Sequence, residues 1–230
     1  MATPTTVSTD KYRSYLSEEE LKNTKWRAGP PNYDLVNKLF EEGRTKIWAA
    51  GSLEDQVQNL VKTWEMEWES MIRKIVDAKK YVVGVNGKRY FTLEEAGRIG
   101  GGYNVFLQTS LPPALRSYDP DRETYESSQT AFKTVFPRGF ALEILQVYSG
   151  PPVIAYKFRH WGYMEGPFQG HAPTGELVEF FGTSIIQMEN SKVVKVEFFF
   201  DRGELLAQLI KGEKIGESPS NVPSACPFMA

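Results

Sequence analysis

Acid–base chemistry is the chemistry that the titratable residues of this sequence can support. In the run Ile154, Tyr156, Phe158, His160, strand alternation puts His160 on the apolar face and Lys157, Arg159 and Trp161 on the other. An inward histidine must satisfy its ring nitrogens, and near neutral pH it can give or accept a proton. The plainer alternative is a core histidine bonded to a tyrosine or carboxylate. Asp201 is the second candidate: Lys195, Glu197, Phe199 and Asp201 share one face, opposite Val194, Val196, Phe198 and Phe200. At the start of a helix it would serve as an N-cap, worth about 1 kcal/mol. Aimed into a dry pocket, it would have a raised pKa and act as acid or base.

Other chemistries find less support. The two histidines, His160 and His171, have no i,i+4 relation and no cysteine nearby, so neither zinc nor any other metal is expected, although Glu176 or Glu179 could complete a two-histidine, one-carboxylate set. Cys226 lies near the C-terminus, and no serine sits in a nucleophile-elbow context. Gly100-Gly101-Gly102 lacks both the preceding strand and the following Lys-Ser/Thr of a phosphate loop. No cofactor is therefore expected.

The elements that must position these residues follow from periodicity. Val36, Leu39 and Phe40 recur at helical spacing between Tyr33 and Glu42, with Gly43 as a stop. Ser52-Leu53-Glu54-Asp55 has capping-box-like chemistry, and Leu53, Val57, Leu60, Trp64, Trp68, Met71, Ile72 and Ile75 predict one long amphipathic helix to about Val76. Thr92-Leu93-Glu94-Glu95 opens another helix. The three glycines, at roughly 1 kcal/mol each against alanine, predict a break or a close backbone approach. Segments near 128–136, 139–149, 152–164, 176–189 and 192–201 are rich in Val, Ile, Phe and Tyr and read as mostly antiparallel strands. Gly150-Pro151-Pro152 and Glu189-Asn190-Ser191-Lys192 are turn candidates. Residues 202–211 form a short closing helix. Helices followed by strands argue an α+β domain over 33–212, between an irregular extension, 1–32, and a mobile tail, 213–230.

Composition bounds the partners. Twenty-seven basic residues against 29 acidic ones leave a charge of -2, too little to draw in nucleic acid. No apolar run is long enough to span a membrane, the N-terminus carries no signal-peptide pattern, and Cys226 fails the prenylation spacing. With one cysteine, a cytoplasmic location is expected. Aromatics make up 13% of the chain and crowd the strands, and neighbours such as Phe180 and Phe181 face opposite sides. Both faces of the sheet therefore need cover, by either a helix layer and a pocket or a helix layer and a partner subunit.

Two stretches carry a family resemblance: Arg159-His160-Trp161-Gly162-Tyr163-Met164-Glu165-Gly166-Pro167-Phe168, and Val193 to Asp201 followed by Leu205-Leu206-Ala207-Gln208-Leu209. They are similar to the SnoaL-type branch of the NTF2-like superfamily. Thr24-Lys25-Trp26-Arg27, Pro31-Asn32-Tyr33-Asp34, Trp64-Glu65-Met66-Glu67 and Pro137 to Gly150 resemble the plant pathogen-related proteins of that branch. The resemblance implies a cone-shaped α+β barrel, with N-terminal helices packed on a curved antiparallel sheet, an internal cavity and a homodimer through the outer sheet face. Its relatives include cyclases, dehydratases and isomerases as well as proteins that only bind or scaffold. The acid/base Asp of the cyclases falls at Asp201. Their catalytic histidine has no counterpart between Thr183 and Met188, where Gln187 is the nearest polar residue.

Three functions stay open at this stage. The first is a carrier of a terpenoid- or polyketide-like molecule, accessory to biosynthetic enzymes in plant specialised metabolism or defence. The second is a cofactor-free isomerase, cyclase or dehydratase using Asp201 with His160 or Tyr156. The third is a scaffold working through the sheet surface. The expected ligand contacts are Trp64, Trp68, Tyr103, Tyr148, Tyr156, Phe158, Trp161, Gln187 and Phe199.

Overall fold

The structure, a computed structural model, describes residues 10, 12–13, 19, 23, 32–69 and 74–215. Helix α1, Asp34–Gly43, buries Leu39 and Phe40. Helix α2, Leu53–Glu69, begins where the Ser52 hydroxyl accepts from the Asp55 amide at 3.2 Å. It ends short of the periodic pattern, and Met71 and Ile72 lie outside the described residues. The Glu67 carboxylate accepts from the Lys74, Ile75 and Val76 amides at 2.6, 2.8 and 3.2 Å, where the chain is bent rather than helical. Val76 then bridges to Val193.

Strands β1, Val82–Val85, and β2, Tyr90–Thr92, form a hairpin around Asn86-Gly87, both at positive φ. This turn was not among those expected, although Asn-Gly between apolar residues is a strong hairpin signal. Helix α3, Leu93–Arg98, has the expected reciprocal cap between Thr92 and Glu95. Gly100 and Gly101 take positive φ and break the chain before α4, Gly102–Phe106. A Cβ on Gly102 would sit 2.7 Å from the Trp68 indole nitrogen, so the glycine is also a close approach.

The segment expected as a strand at 128–136 is a helix, α5, Tyr125–Val135. Thr124 and Ser127 cap it reciprocally, and Ser128, Phe132 and Val135 are buried at helical steps of four and three. That spacing and cap outweigh its β-propensity. The remaining strands are β3, Ala141–Ser149, β4, Val153–Tyr163, β5, Leu177–Glu189, and β6, Lys192–Phe200, closed by helix α6, Arg202–Leu209.

All six strands make one sheet in the order β2-β1-β6-β5-β4-β3. Pairing is antiparallel except between β1 and β6, so the sheet is mixed, and it is not closed into a barrel. The class is α+β. Helices α2 to α6 contribute to two merging apolar clusters on the inner face, joined through Phe180 and Phe200. Helix α1 packs with Tyr12 against Ala141 and Trp161. Residues 213–215 are tied back to the domain: Ala172 donates to the Glu213 carbonyl and Ile215 to that of Gly170, at 2.8 and 2.7 Å. Residues 216–230 lie outside the described set.

Candidate functional site: an aromatic cavity between helix and sheet

A cavity of about 530 Å³ lies between α2, α4, α5 and the inner face of the sheet. Ligand sites typically measure about 300–1,000 Å³. Strand alternation builds its floor: Phe158 and His160 from β4, Phe180 from β5, Phe198 and Phe200 from β6. Gly182 makes room for this floor, since a Cβ there would lie 2.5 Å from the Phe158 ring. The roof is Trp64 and Trp68 from α2, with Tyr103 and Phe106 from α4. Trp64 packs 5.6 Å from Phe198 and donates to the Tyr81 hydroxyl at 3.1 Å, so its apolar face is left to the cavity. Tyr103 stacks on Phe132 of α5 at 4.0 Å. Arg13, Tyr33, Leu35 and Val36 border one end, so the N-terminal region contributes to the enclosure.

Lys62, Glu65 and His160 are among the polar residues that line this space, with Arg13, Asn32, Gln129, Lys133 and Arg138. His160 lies between the rings of Phe140 and Phe180, at 5.2 and 5.3 Å and nearly parallel to both. Its Nε2 is 3.7 Å from Glu65 Oε1, while its buried Nδ1 has no hydrogen-bond partner among the described residues. Burial, then the charge of Lys62, holds its pKa down at about 3, with the Ala141 carbonyl opposing, so the ring is neutral near pH 7. Lys62 is 2% exposed, and its Nζ lies 3.7 Å above the Phe40 ring. Burial, then the Arg13 guanidinium, lowers its pKa to about 7, against the opposing charges of Glu65, Asp10 and Glu41.

Of the residues expected at the site, Trp64, Trp68, Tyr103, Phe158 and His160 border the cavity. The others do not, for reasons of alternation and depth. Tyr156 is enclosed in the core, its phenol pKa raised by burial. Trp161 faces the other side of the sheet and stacks on Phe40 at 6.1 Å. Gln187 is paired with Lys195 and Val153 outside the cavity lining. Tyr148 and Phe199 are exposed. Asp201 is also exposed, and accepts from the Glu204 amide at 3.1 Å as the N-cap of α6. It is absent from the cavity lining.

Lys62 and Glu65 were missed. On an amphipathic helix, charged positions read as solvent face, and nothing local announces the Tyr12 and Phe40 rings that cover Lys62. His171 lies elsewhere, its Nδ1 at 2.9 Å from the Gly212 carbonyl. Among the described residues no three His, Cys, Asp or Glu side chains are grouped to hold a metal ion, and no helix is long and apolar enough to cross a membrane.

A partly open hollow with an aromatic lining defines a protein of the small-molecule-pocket type, and comparison with known proteins supplies the family. Pathogen-related protein of Hordeum vulgare is 54% identical over 222 residues, covering 93% of this chain and 94% of the relative. The chain belongs to the pathogen-related protein family. No family model matches it. Solved structures with a similar outline include IdmH from Streptomyces antibioticus, 16% identical with a TM-score of 0.42 over 69% of this chain and 98% of that one. A SnoaL-like protein from a Jannaschia species is 14% identical, TM-score 0.39, over 78% and 91%. An NTF2-like protein of unknown function from Cytophaga hutchinsonii is 7% identical, TM-score 0.35, over 65% and 100%. Likenesses this distant bear on neither substrate nor reaction.

Proposed function

We propose that the chain binds a hydrophobic small molecule of terpenoid or polyketide size in the cavity between α2 and the sheet. One observation carries this reading: a space of about 530 Å³ has a mostly apolar lining built on aromatic rings. Such a site gives apolar burial as the source of affinity and leaves orientation to the Lys62, Glu65 and His160 side. We take the setting to be plant specialised metabolism or defence, in keeping with the name of the Hordeum vulgare relative, with the protein cytoplasmic and accessory to biosynthetic enzymes. The exposed Phe181, Phe199 and Val153 of the outer sheet face support pairing with a second copy.

Calorimetric titration with farnesol and with a flavonoid tests the binding. Saturable one-site binding to the wild type is expected. Phe106→Trp, which pushes bulk into the hollow from α4, should weaken it roughly tenfold while the melting temperature stays close to wild type. Absence of saturable binding to any apolar guest across such a panel would remove the reading.

A catalytic role resting on Asp201 finds no support in its exposed cap position. A proton-transfer role would fall instead to Glu65 and His160, the titratable pair that does face the guest.

A further inference from the structure

Lys62 is the unusual residue of this cavity. A lysine on the covered side of a helix costs desolvation unless a carboxylate pairs with it, yet among the described residues Lys62 makes no ion pair and rests on the Phe40 and Tyr12 rings. It lines the same hollow as Trp64 and His160. Glu65 follows three residues later, on the same stretch of α2, and approaches His160 Nε2 at 3.7 Å. A primary amine, a carboxylate and a neutral imidazole therefore border one apolar chamber.

We propose that Lys62 forms a reversible imine with an apolar aldehyde or ketone held in this cavity. The inference rests on the small-molecule reading above and names the functional group of the guest. The Nζ lone pair attacks the carbonyl carbon, an N–C bond forms, and the carbonyl π pair moves to oxygen, which takes a proton. The carbinolamine then loses its hydroxyl as water, with Glu65 placed to carry a proton from nitrogen to the departing oxygen. One water leaves, nothing is oxidised or reduced, and hydrolysis reverses the step.

The electrostatics favour this chemistry. With a pKa of about 7, roughly half of the Lys62 amine is unprotonated at neutral pH, whereas an ordinary lysine at 10.5 is almost wholly charged. Burial in an apolar site is a common way of making a lysine nucleophilic. Arg13, Lys133 and Arg138 line the cavity as well, but around the Lys62 amine itself the Arg13 charge is opposed by Glu65, Asp10 and Glu41.

The test incubates the full chain with farnesal and cyanoborohydride, maps the reduced adduct by peptide mass spectrometry, and measures farnesol binding by calorimetry in parallel. The adduct should appear on Lys62 at pH 7.5 at least roughly tenfold faster than on any surface lysine, and excess farnesol should suppress it. Saturable farnesol binding with Lys62 unlabelled, or labelled no faster than the surface lysines, would overturn the imine and leave the cavity reading intact. Labelling of Lys62 that farnesol does not suppress would also overturn it. Failure of both farnesol binding and labelling would remove the two proposals together.

Discussion

The neutral state of His160 is a consequence of where the ring sits, and it fixes how stability changes with acid. The unfolded chain takes up a proton on this imidazole near pH 6.5, the folded chain near 3. Between these values the unfolded state binds more protons, so stability falls as pH drops through that window. His160→Phe, which keeps an aromatic ring between Phe140 and Phe180, should remove this liability. The wild type should lose stability relative to the variant on going from pH 7 to pH 4, on the order of a few kcal/mol, measured from urea midpoints. Parallel pH profiles would show that His160 is not the buried titrating group. Lys62 acts on the alkaline side with the same logic. Its folded pKa of about 7 lies below the ordinary 10.5, so the unfolded state again holds the extra proton. Stability should rise from about pH 7 towards 10 in the wild type and stay flat there in Lys62→Met.

Asp201 separates an element's needs from a catalyst's. Its carboxylate accepts from the Glu204 amide, so Asp201→Ala should cost about 1 kcal/mol of stability and Asp201→Asn, which can still cap, a few tenths. Guest affinity should change in neither, because the side chain lies outside the cavity. A large loss of binding in a stable Asp201→Asn variant would contradict this placement. The same residue shows how much was legible beforehand. Helices α1, α3 and α6 and strands β3 to β6 followed from caps, spacing and turn residues, and alternation correctly set Phe158, His160, Phe198 and Phe200 on one side. Helix α5 was misread because its aromatic and β-branched content masked the buried positions 128, 132 and 135. The β1–β2 hairpin was overlooked because its strands are only four and three residues long. Which face of the sheet holds the hollow is a tertiary fact: Trp161 and Phe199 satisfy the same aromatic pattern as Phe158 and Phe198, but on the opposite face. The enclosure of Lys62 is tertiary in the same sense, since it depends on Tyr12 and Phe40, far upstream in the chain.

At the scale of the molecule, the sheet is apolar on both sides but covered by helices mainly on one. Phe181 is 48% and Phe199 38% exposed on the outer face, and Val153, further along β4, is half-exposed. A homodimer through this face should appear at micromolar concentration in sedimentation velocity, and Phe181→Lys with Phe199→Lys should return the protein to a monomer without unfolding it. A wild type that stays monomeric at these concentrations would exclude the interface. The inner face makes the stronger claim, that the hollow is a seat for an organic guest. Intermolecular NOEs from bound farnesol test it most directly. The account predicts contacts from the guest to the ring protons of Trp64, Phe158 and Phe198; contacts confined to Phe181 and Phe199, with none to those three rings, would contradict it.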